Sequence, residues 1–327
     1  MPQGTLSSFA IHLEFRNDTR TYWLIFWYSH YMSYSKSTII YRTLAGLIFI
    51  CICLLGALSF PVSQDGVTIS FLDVGQGDAV FIQTPNRTQV LMDAGPKDVV
   101  MQKLKDEIPR GDTSIDLLVV TNPDADHISG FLSVLDEYTV SAVLVPNTRS
   151  TTATYKNLKK KIKEKNIPEL VAYRGMEIVL DRGNSIHPDA VLSILFPDQV
   201  VKNWERNSGS IVSRFVYGDT SVMLMGDATS ETEKIIIGDF FETGAIENLQ
   251  SDILKLGHHG SRTSTSDMWL DVVKPDIAIV SAGLNNRYGH PHKEVIDTLA
   301  DRGVEIRETS TEGTVTYVSD GKKWVEK

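Results

Sequence analysis

The chain has 327 residues, with 32 Lys or Arg against 41 Asp or Glu, a formal net charge of −9 and 42% hydrophobic residues. That balance excludes a disordered chain, a collagen-like repeat and a polytopic membrane protein. Both cysteines, Cys51 and Cys53, fall in one apolar stretch, which excludes a disulfide framework and leaves any metal chemistry to imidazole and carboxylate.

Thr43 to Gln64 carries no charged residue. A helix of that length spans about 30 Å, the thickness of a bilayer core. Lys36 and Arg42 precede it and Asp65 follows. The charge asymmetry predicts a cytoplasmic or interfacial segment over 1–42, one transmembrane helix or signal anchor over 43–64, and an extracytoplasmic domain over 66–327. Ala57-Leu58-Ser59 also reads as a cleavage site near Ser59 that would release a secreted form. Tyr22, Trp23, Trp27 and Tyr28 read either as an interfacial belt or as sequence upstream of a true start at Met32.

The remaining part, about 260 residues, suffices for one large α/β domain. Strand-like runs cover Val67–Val74, Ala79–Thr84 and Gln89–Asp93, then a helix over Val99–Ile108 and a fully buried strand over Ile115–Thr121. A helix over Phe131–Asp136 and a strand over Ala142–Val145 follow. The lysine run from Lys156 to Lys165 sits on a helix and reads as a solvated face or as a patch that guides nucleic acid. Strands recur at Val191–Phe196, Ile211–Tyr217, Ser221–Met225, Ile253–Lys255 and Ile277–Ser281, with helices from Ser230 and over Glu294–Asp301. Thr314–Val318 and Lys323–Val325 form a hairpin around Asp320-Gly321. Two strand-rich halves with helices outside predict stacked sheets covered on both faces.

The chemistry concentrates at strand ends. Asn122, Asp124, Asp126 and His127 crowd into six residues directly after an apolar strand. Such a cluster cannot share one face of a helix or strand, but it can wrap around metal ions. Alone, it reads equally as an Asx-rich turn with Asp126 capping the next helix. Other strand ends add Asp227, the pair His258-His259 followed by Gly260 and Ser261, and Arg287 with His290. Ligands contributed by several independent strand ends are what a metallohydrolase needs.

These segments resemble the metallo-β-lactamase superfamily, most closely the extracytoplasmic hydrolase domain of ComEC-type competence proteins. The matching stretches are Phe71–Ala79 (FLDVGQGDA), Leu91–Gly95 (LMDAG), Asn122–His127 (NPDADH), Asn207–Ser210 (NSGS), Gly226-Asp227, His258–Ser261 (HHGS) and Asn286–Pro291 (NRYGHP). The resemblance implies a four-layer αββα sandwich with two divalent metal ions, Mn²⁺ or Zn²⁺, at one edge of the sheets. It implies that Asp126, His127, Asp227 and one of the paired histidines, His259 preferred over His258, hold one ion. Asp124 and Asp227 would serve the other, and Asp93 would orient the loop from behind. Asn207 and Ser210 stand where many members carry a further histidine.

One departure matters. The first histidine of the family's His-x-(His/Asp)-x-Asp-His pattern is Asn122 here. An amide oxygen is a weak ligand, so the Asn122/Asp124 site is expected to be the weaker and to prefer Mn²⁺ or Mg²⁺. Asp126 is the expected water-orienting catalytic residue, with His258 and His290 able to hold phosphate or protonate a leaving oxygen. Gln76, Asp78, Asn207, Ser210, Ser261 and Arg287 are the candidates to face substrate. The resemblance points to DNA or another phosphodiester as substrate. It points to a stand-alone hydrolase part, since ComEC-type proteins add a multi-span channel. Two alternatives stay open: a cell-surface hydrolase of small phosphoesters, and a non-catalytic membrane-tethered partner of a separate uptake channel.

Overall fold

A computed structural model describes residues 12–17, 20–25, 41–50, 66–148, 150–184, 186–198 and 204–327. The chain divides into two compact units, Met1–Val62 and Ser63–Lys327. In the first, β1 (His12–Asn17) and β2 (Arg20–Ile25) pair antiparallel, with His12 opposite Ile25, and residues 41–50 form helix α1. Residues 51–64 of the expected span, with both cysteines and Ser59, lie outside the described residues, as does Met32. Among the described residues no helix is long and apolar enough to cross a membrane.

In the second unit the first half contributes β3 (Val67–Phe71), β4 (Val80–Gln83), β5 (Gln89–Met92), α2 (Val99–Glu107), β6 (Ser114–Val119), α3 (Ala125–Ile128), α4 (Phe131–Glu137), β7 (Thr139–Val145), α5 (Ala153–Glu164) and β8 (Glu169–Val171). The second half contributes β9 (Glu177–Asp181), β10 (Ala190–Phe196), β11 (Val212–Tyr217), β12 (Thr220–Leu224), α6 (Ser230–Glu242), β13 (Ile253–Lys255), α7 (Asp267–Val273), β14 (Ile277–Val280), α8 (Lys293–Asp301), β15 (Glu305–Glu308), α9 (Thr309–Glu312), β16 (Val315–Ser319) and β17 (Trp324–Glu326). One sheet has the order β17-β16-β3-β4-β5-β6-β7-β8 and the other β15-β14-β13-β12-β11-β10-β9.

Side-chain alternation decides which residues enter which layer. In β4, Val80 and Ile82 face the space between the sheets, where they join Val67, Ile69, Phe71, Phe215, Tyr217 and Leu224. Phe81 points the other way, into a layer with Leu104, Phe131 and Leu135 from α2 and α4. The second sheet repeats the plan: Met223 and Leu254 face outward to Ile236, Trp269, Leu270 and Leu299. Both faces of these strands are therefore apolar, which is why the sequence shows continuous runs instead of alternation. The result is a four-layer αββα sandwich, as expected.

The hydrogen-bond pattern then places the chemistry. β5, β6 and β7 run parallel, and so do β12, β13 and β14. Parallel neighbours end on the same side of a sheet, so the segments after β5, β6, β12, β13 and β14 gather at one edge. The β3 run stops at Phe71, short of the expected Val74, because Leu72 N–H already bonds Ala79 O (2.9 Å) across the turn that carries Gly75 and Gly77.

Candidate metal centre

The segment after β6 turns at Thr121 and Asn122 and enters α3 through Asp124. Asp124, not Asp126, occupies the cap position, and its side chain makes no capping hydrogen bond. The capping alternative for Asp126 is thereby replaced: that residue lies inside the first turn. Gly77 lies against this loop, since a Cβ there would sit 2.1 Å from Asp126 O. After β13, His258 and His259 both take left-handed backbone conformations (φ 46° and 57°). Each such non-glycine residue costs about 1–3 kcal/mol. The turn is held by His258 N–H to Gly226 O (3.1 Å) and by Ser264 Oγ to Gly257 O (2.6 Å).

Four side chains converge. His127 Nε2 lies 3.0 Å from Asp227 Oδ2, and His259 Nε2 lies 3.5 Å from Asp227 Oδ1 and 3.6 Å from Asp126 Oδ2. Asp126, His127 and His259 each offer one ligand atom within 4.8 Å of the others, and so do Asp78, Asp227 and His259. Yet His127 Nε2, His259 Nε2 and Asp227 Oδ1 are buried without an aligned hydrogen-bond partner. The far nitrogen of each ring is engaged: His127 Nδ1 with Asp93 Oδ2 (2.8 Å), His259 Nδ1 with Ser281 O (2.9 Å). A carboxylate and a carbonyl only accept, so both Nδ1 atoms carry hydrogen, which leaves Nε2 as the nitrogen of each ring that faces the carboxylates and can bind an ion once its own proton is lost. Ring orientation by an outer acceptor is the pattern of a metal-binding histidine. Two imidazoles with Asp126 and Asp227 therefore fit one divalent ion.

The electrostatics agree. Burial works against the charged form of His127, but Asp227 and Asp93 outweigh it and raise the ring well above its ordinary value. His259, equally buried, is pushed up to about 9 by Asp227 and Asp78. Burial would lift Asp227 too, yet the two rings hold it well below the carboxylate range. In the ion-free protein, protons on these rings supply the positive charge that the carboxylates demand.

The remaining expected residues are arranged as follows. Asn122 is fully buried, and its Nδ2 donates to Asn207 Oδ1 (2.9 Å) and Ser210 Oγ (3.2 Å) while its Oδ1 accepts from Asp124 N–H (2.9 Å). Asp124 pairs with Arg206 instead of joining the cluster. Ser210 and Asn207 therefore buttress Asn122. His258 turns aside, with Nε2 3.4 Å from Asn207 Nδ2 and Nδ1 3.2 Å from Thr263 Oγ1, so His259 is the member of the pair that faces the carboxylates. His290 packs edge-on against His258 (5.2 Å between ring centres). Burial, then the rings of His258 and His259, lower it to about 4; burial also lowers His258.

Several substrate-facing candidates sit elsewhere than expected. Asp78 is buried in an ion pair with Lys255 and lies 3.2 Å from His259 Nδ1, behind the ring. Gln76 Oε1 accepts from Gly283 N–H (3.1 Å), and Ser261 Oγ is buried beside Thr263 Oγ1 (3.0 Å). Arg287 is exposed and stacks on Tyr288 at 4.7 Å, outside the cluster. Neither Lys255 nor Arg206 belongs to a motif in the sequence. A lysine inside the apolar run Ile253–Leu256 was the available signal for the first, since a buried ammonium requires a partner.

A model of the family described as "Metallo-beta-lactamase superfamily" matches residues 72–283. The chain is 30% identical to "ComE operon protein 3" of Bacillus subtilis strain 168 over 275 residues, which is 79% of this chain and 34% of that protein. It is 28% identical to "Competence protein ComA" of Neisseria gonorrhoeae over 263 residues, 78% of this chain and 33% of that protein. The chain thus spans about a third of the length of these relatives. A solved CmlA beta-hydroxylase shares the fold with a TM-score of 0.50 at 16% identity, over 77% of this chain and 54% of that one. Sheet order, a converging His/Asp set and a family match across both halves of the sandwich lead to one conclusion: the chain belongs to the metallo-β-lactamase superfamily, in the ComEC-like group its motifs indicate.

Proposed function

We propose that the chain is a metal-dependent phosphodiesterase that acts on DNA during competence-related uptake, outside the cytoplasmic membrane and anchored by the apolar segment over 43–64. A separate channel protein would carry the strand. The observation that carries the hydrolase reading is the buried trio His127 Nε2, His259 Nε2 and Asp227 Oδ1, which crowd together without an aligned hydrogen bond, with Asp126 beside it. The names of the relatives support competence as the setting. A bound divalent ion, Mn²⁺ or Zn²⁺, supplies Lewis acidity, which acidifies water and neutralises anionic oxygens.

The side chains do the rest. Asp126 is the most exposed of the four ligands (31%), so it can accept a hydrogen bond from the attacking water and aim it. His127 and His259 are fixed from behind and cannot swing. His258 and His290 sit below the ordinary imidazole value. Near pH 7 they are neutral, which suits them to accept a proton or orient the substrate, and less to protonate a leaving oxygen as the sequence reading expected.

Small phosphoesters form a second reading, favoured by one observation. On α5, Lys159, Lys160 and Lys161 are engaged by Glu169, Glu164 and Asp136. With a net charge of −9, neutralising three of the six lysines between Lys156 and Lys165 weakens the pull of this helix on a polyanion. The test is hydrolysis by the full chain, with and without Mn²⁺ or Zn²⁺, of single-stranded DNA, duplex DNA and a chromogenic phosphodiester. The expected result is metal-dependent cleavage of DNA that Asp227→Asn abolishes. Cleavage of the chromogenic ester alone would select the second reading, and equal activity in Asp227→Asn would refute the site.

A further inference from the structure

The far side of the β6–α3 loop is built differently from the cluster around His127. Asn122 spends both ends of its amide on Asn207, Ser210 and Asp124 N–H. Asp124 Oδ1 lies 2.6 Å from Arg206 Nη1, a charge contact without an aligned hydrogen bond. Among the described residues, no cluster of three or more His, Cys, Asp or Glu side chains able to hold an ion includes Asp124. A second ion would have to compete with an amide network on one flank and a guanidinium on the other. The donors do not fit it.

We propose that Arg206 takes the place of a second ion: the site holds one divalent metal, and the Arg206 guanidinium binds a non-bridging oxygen of the anionic substrate. The inference rests on the phosphodiesterase reading above. Three features support it. Arg206 is 41% exposed, so its remaining donors can be reached from solvent, whereas its partner Asp124 is 25% exposed. Asp124 stands two positions before Asp126 in the same loop, so the carboxylate holds the guanidinium beside the ligand set. Asn207, the next residue in the chain, touches both Asn122 and His258, which ties the Arg206 segment to the loop and to the histidine pair.

The chemistry is suitable. A guanidinium keeps its charge at every working pH and offers five donors in a planar fork, so it can hold Asp124 through one edge and an anionic oxygen through another. Unlike an ion, it needs no free lone pairs from Asn122. The fixed cation accounts for a loop that keeps Asp124 while its first histidine position is Asn122.

The test compares wild-type full-length chain with Arg206→Met and Arg206→Lys. Each is saturated with Mn²⁺, freed of loose metal, assayed for bound metal by elemental analysis, and titrated with inorganic phosphate by calorimetry. The expected result is one ion per chain in all three, with phosphate affinity lowered roughly tenfold or more in Arg206→Met and partly restored in Arg206→Lys. Two ions of similar affinity in the wild type, or unchanged phosphate affinity in Arg206→Met, would overturn the role of Arg206 and leave the hydrolase reading standing. No bound ion in the wild type would overturn both.

Discussion

Asp93 Oδ2 lies 2.8 Å from His127 Nδ1, with both side chains buried at 1% exposure or less. The same carboxylate accepts from Thr121 N–H at 2.8 Å and from the Thr121 hydroxyl. Asp93 itself sits in a left-handed conformation (φ 57°) directly after β5. One residue thus ties the end of β5 to the start of the ligand loop and fixes which nitrogen of His127 is bare. In Asp93→Asn the amide nitrogen cannot accept, so either Thr121 or His127 loses its partner. The expected outcome is metal affinity lowered about 10–100-fold and stability lowered by about 1–3 kcal/mol, read by metal titration and by denaturant unfolding.

Metal binding should release protons. In the ion-free protein His127 lies well above its ordinary value and His259 near 9, so both rings are protonated at pH 7. An ion must displace the proton from each Nε2. The sign follows: affinity rises with pH, by at most about tenfold per unit for each proton displaced, and the His259 share of that rise ends near pH 9. Calorimetry of Mn²⁺ binding in buffers of different ionisation enthalpy would count the protons. A pH-independent affinity between pH 6 and 8 would contradict the assignment of His127 and His259 as ligands.

Gly77 and Gly75 separate two effects within one turn. Both have positive φ (132° and 78°), but a Cβ at Gly77 meets Asp126 O at 2.1 Å while one at Gly75 meets nothing within 4 Å. Gly77→Ala must push the Asp126 backbone away and is expected to cost more than about 1 kcal/mol and to weaken metal binding. Gly75→Ala carries backbone strain alone and should leave the metal affinity unchanged. Equal metal affinity in the two variants would show that the contact does not position Asp126.

The layers and the ligand loops were legible in the sequence for the same reason. Strands such as β6 end in a stretch that is apolar on both faces, Leu117–Val120, so the polar cluster from Thr121 onward stands out where the chain leaves the sheet. β8 and β9 were not legible, because they are sheet edges: Glu169, Leu170 and Val171 are all exposed, and β9 offers only the three-residue apolar run Ile178–Leu180. The Lys255–Asp78 pair joins positions 177 residues apart across the two sheets, and the Arg206–Asp124 pair likewise depends on how the sheets stack. Local spacing contains neither. For Asn122 the residue type was informative but its use was not: the sequence offered an amide as a weak ligand, and the fold consumes that amide in holding Asn207, Ser210 and Asp124 together.

Glu233 gives a test away from the ligands. Its Oε1 accepts from Thr265 N–H (2.6 Å) and its Oε2 from Ser266 N–H (3.0 Å), joining α6 to the start of α7, just beyond the histidine turn. Thr265 is held in a left-handed conformation (φ 58°). Burial raises the Glu233 carboxyl above its ordinary value, with the bonds from Ser266 and Thr265 opposing. A raised carboxyl stabilises the fold most below its unfolded pKa of about 4.3, and that contribution declines as pH rises through the folded value. Glu233→Gln removes the titration and places an NH₂ against a backbone donor, so it should cost about 1–3 kcal/mol. The gap in melting temperature between wild type and Glu233→Gln should be wider at pH 4 than at pH 7. A gap that widens toward pH 7 instead would mean that the ionised carboxylate, held by its two amide bonds, is the form the fold prefers.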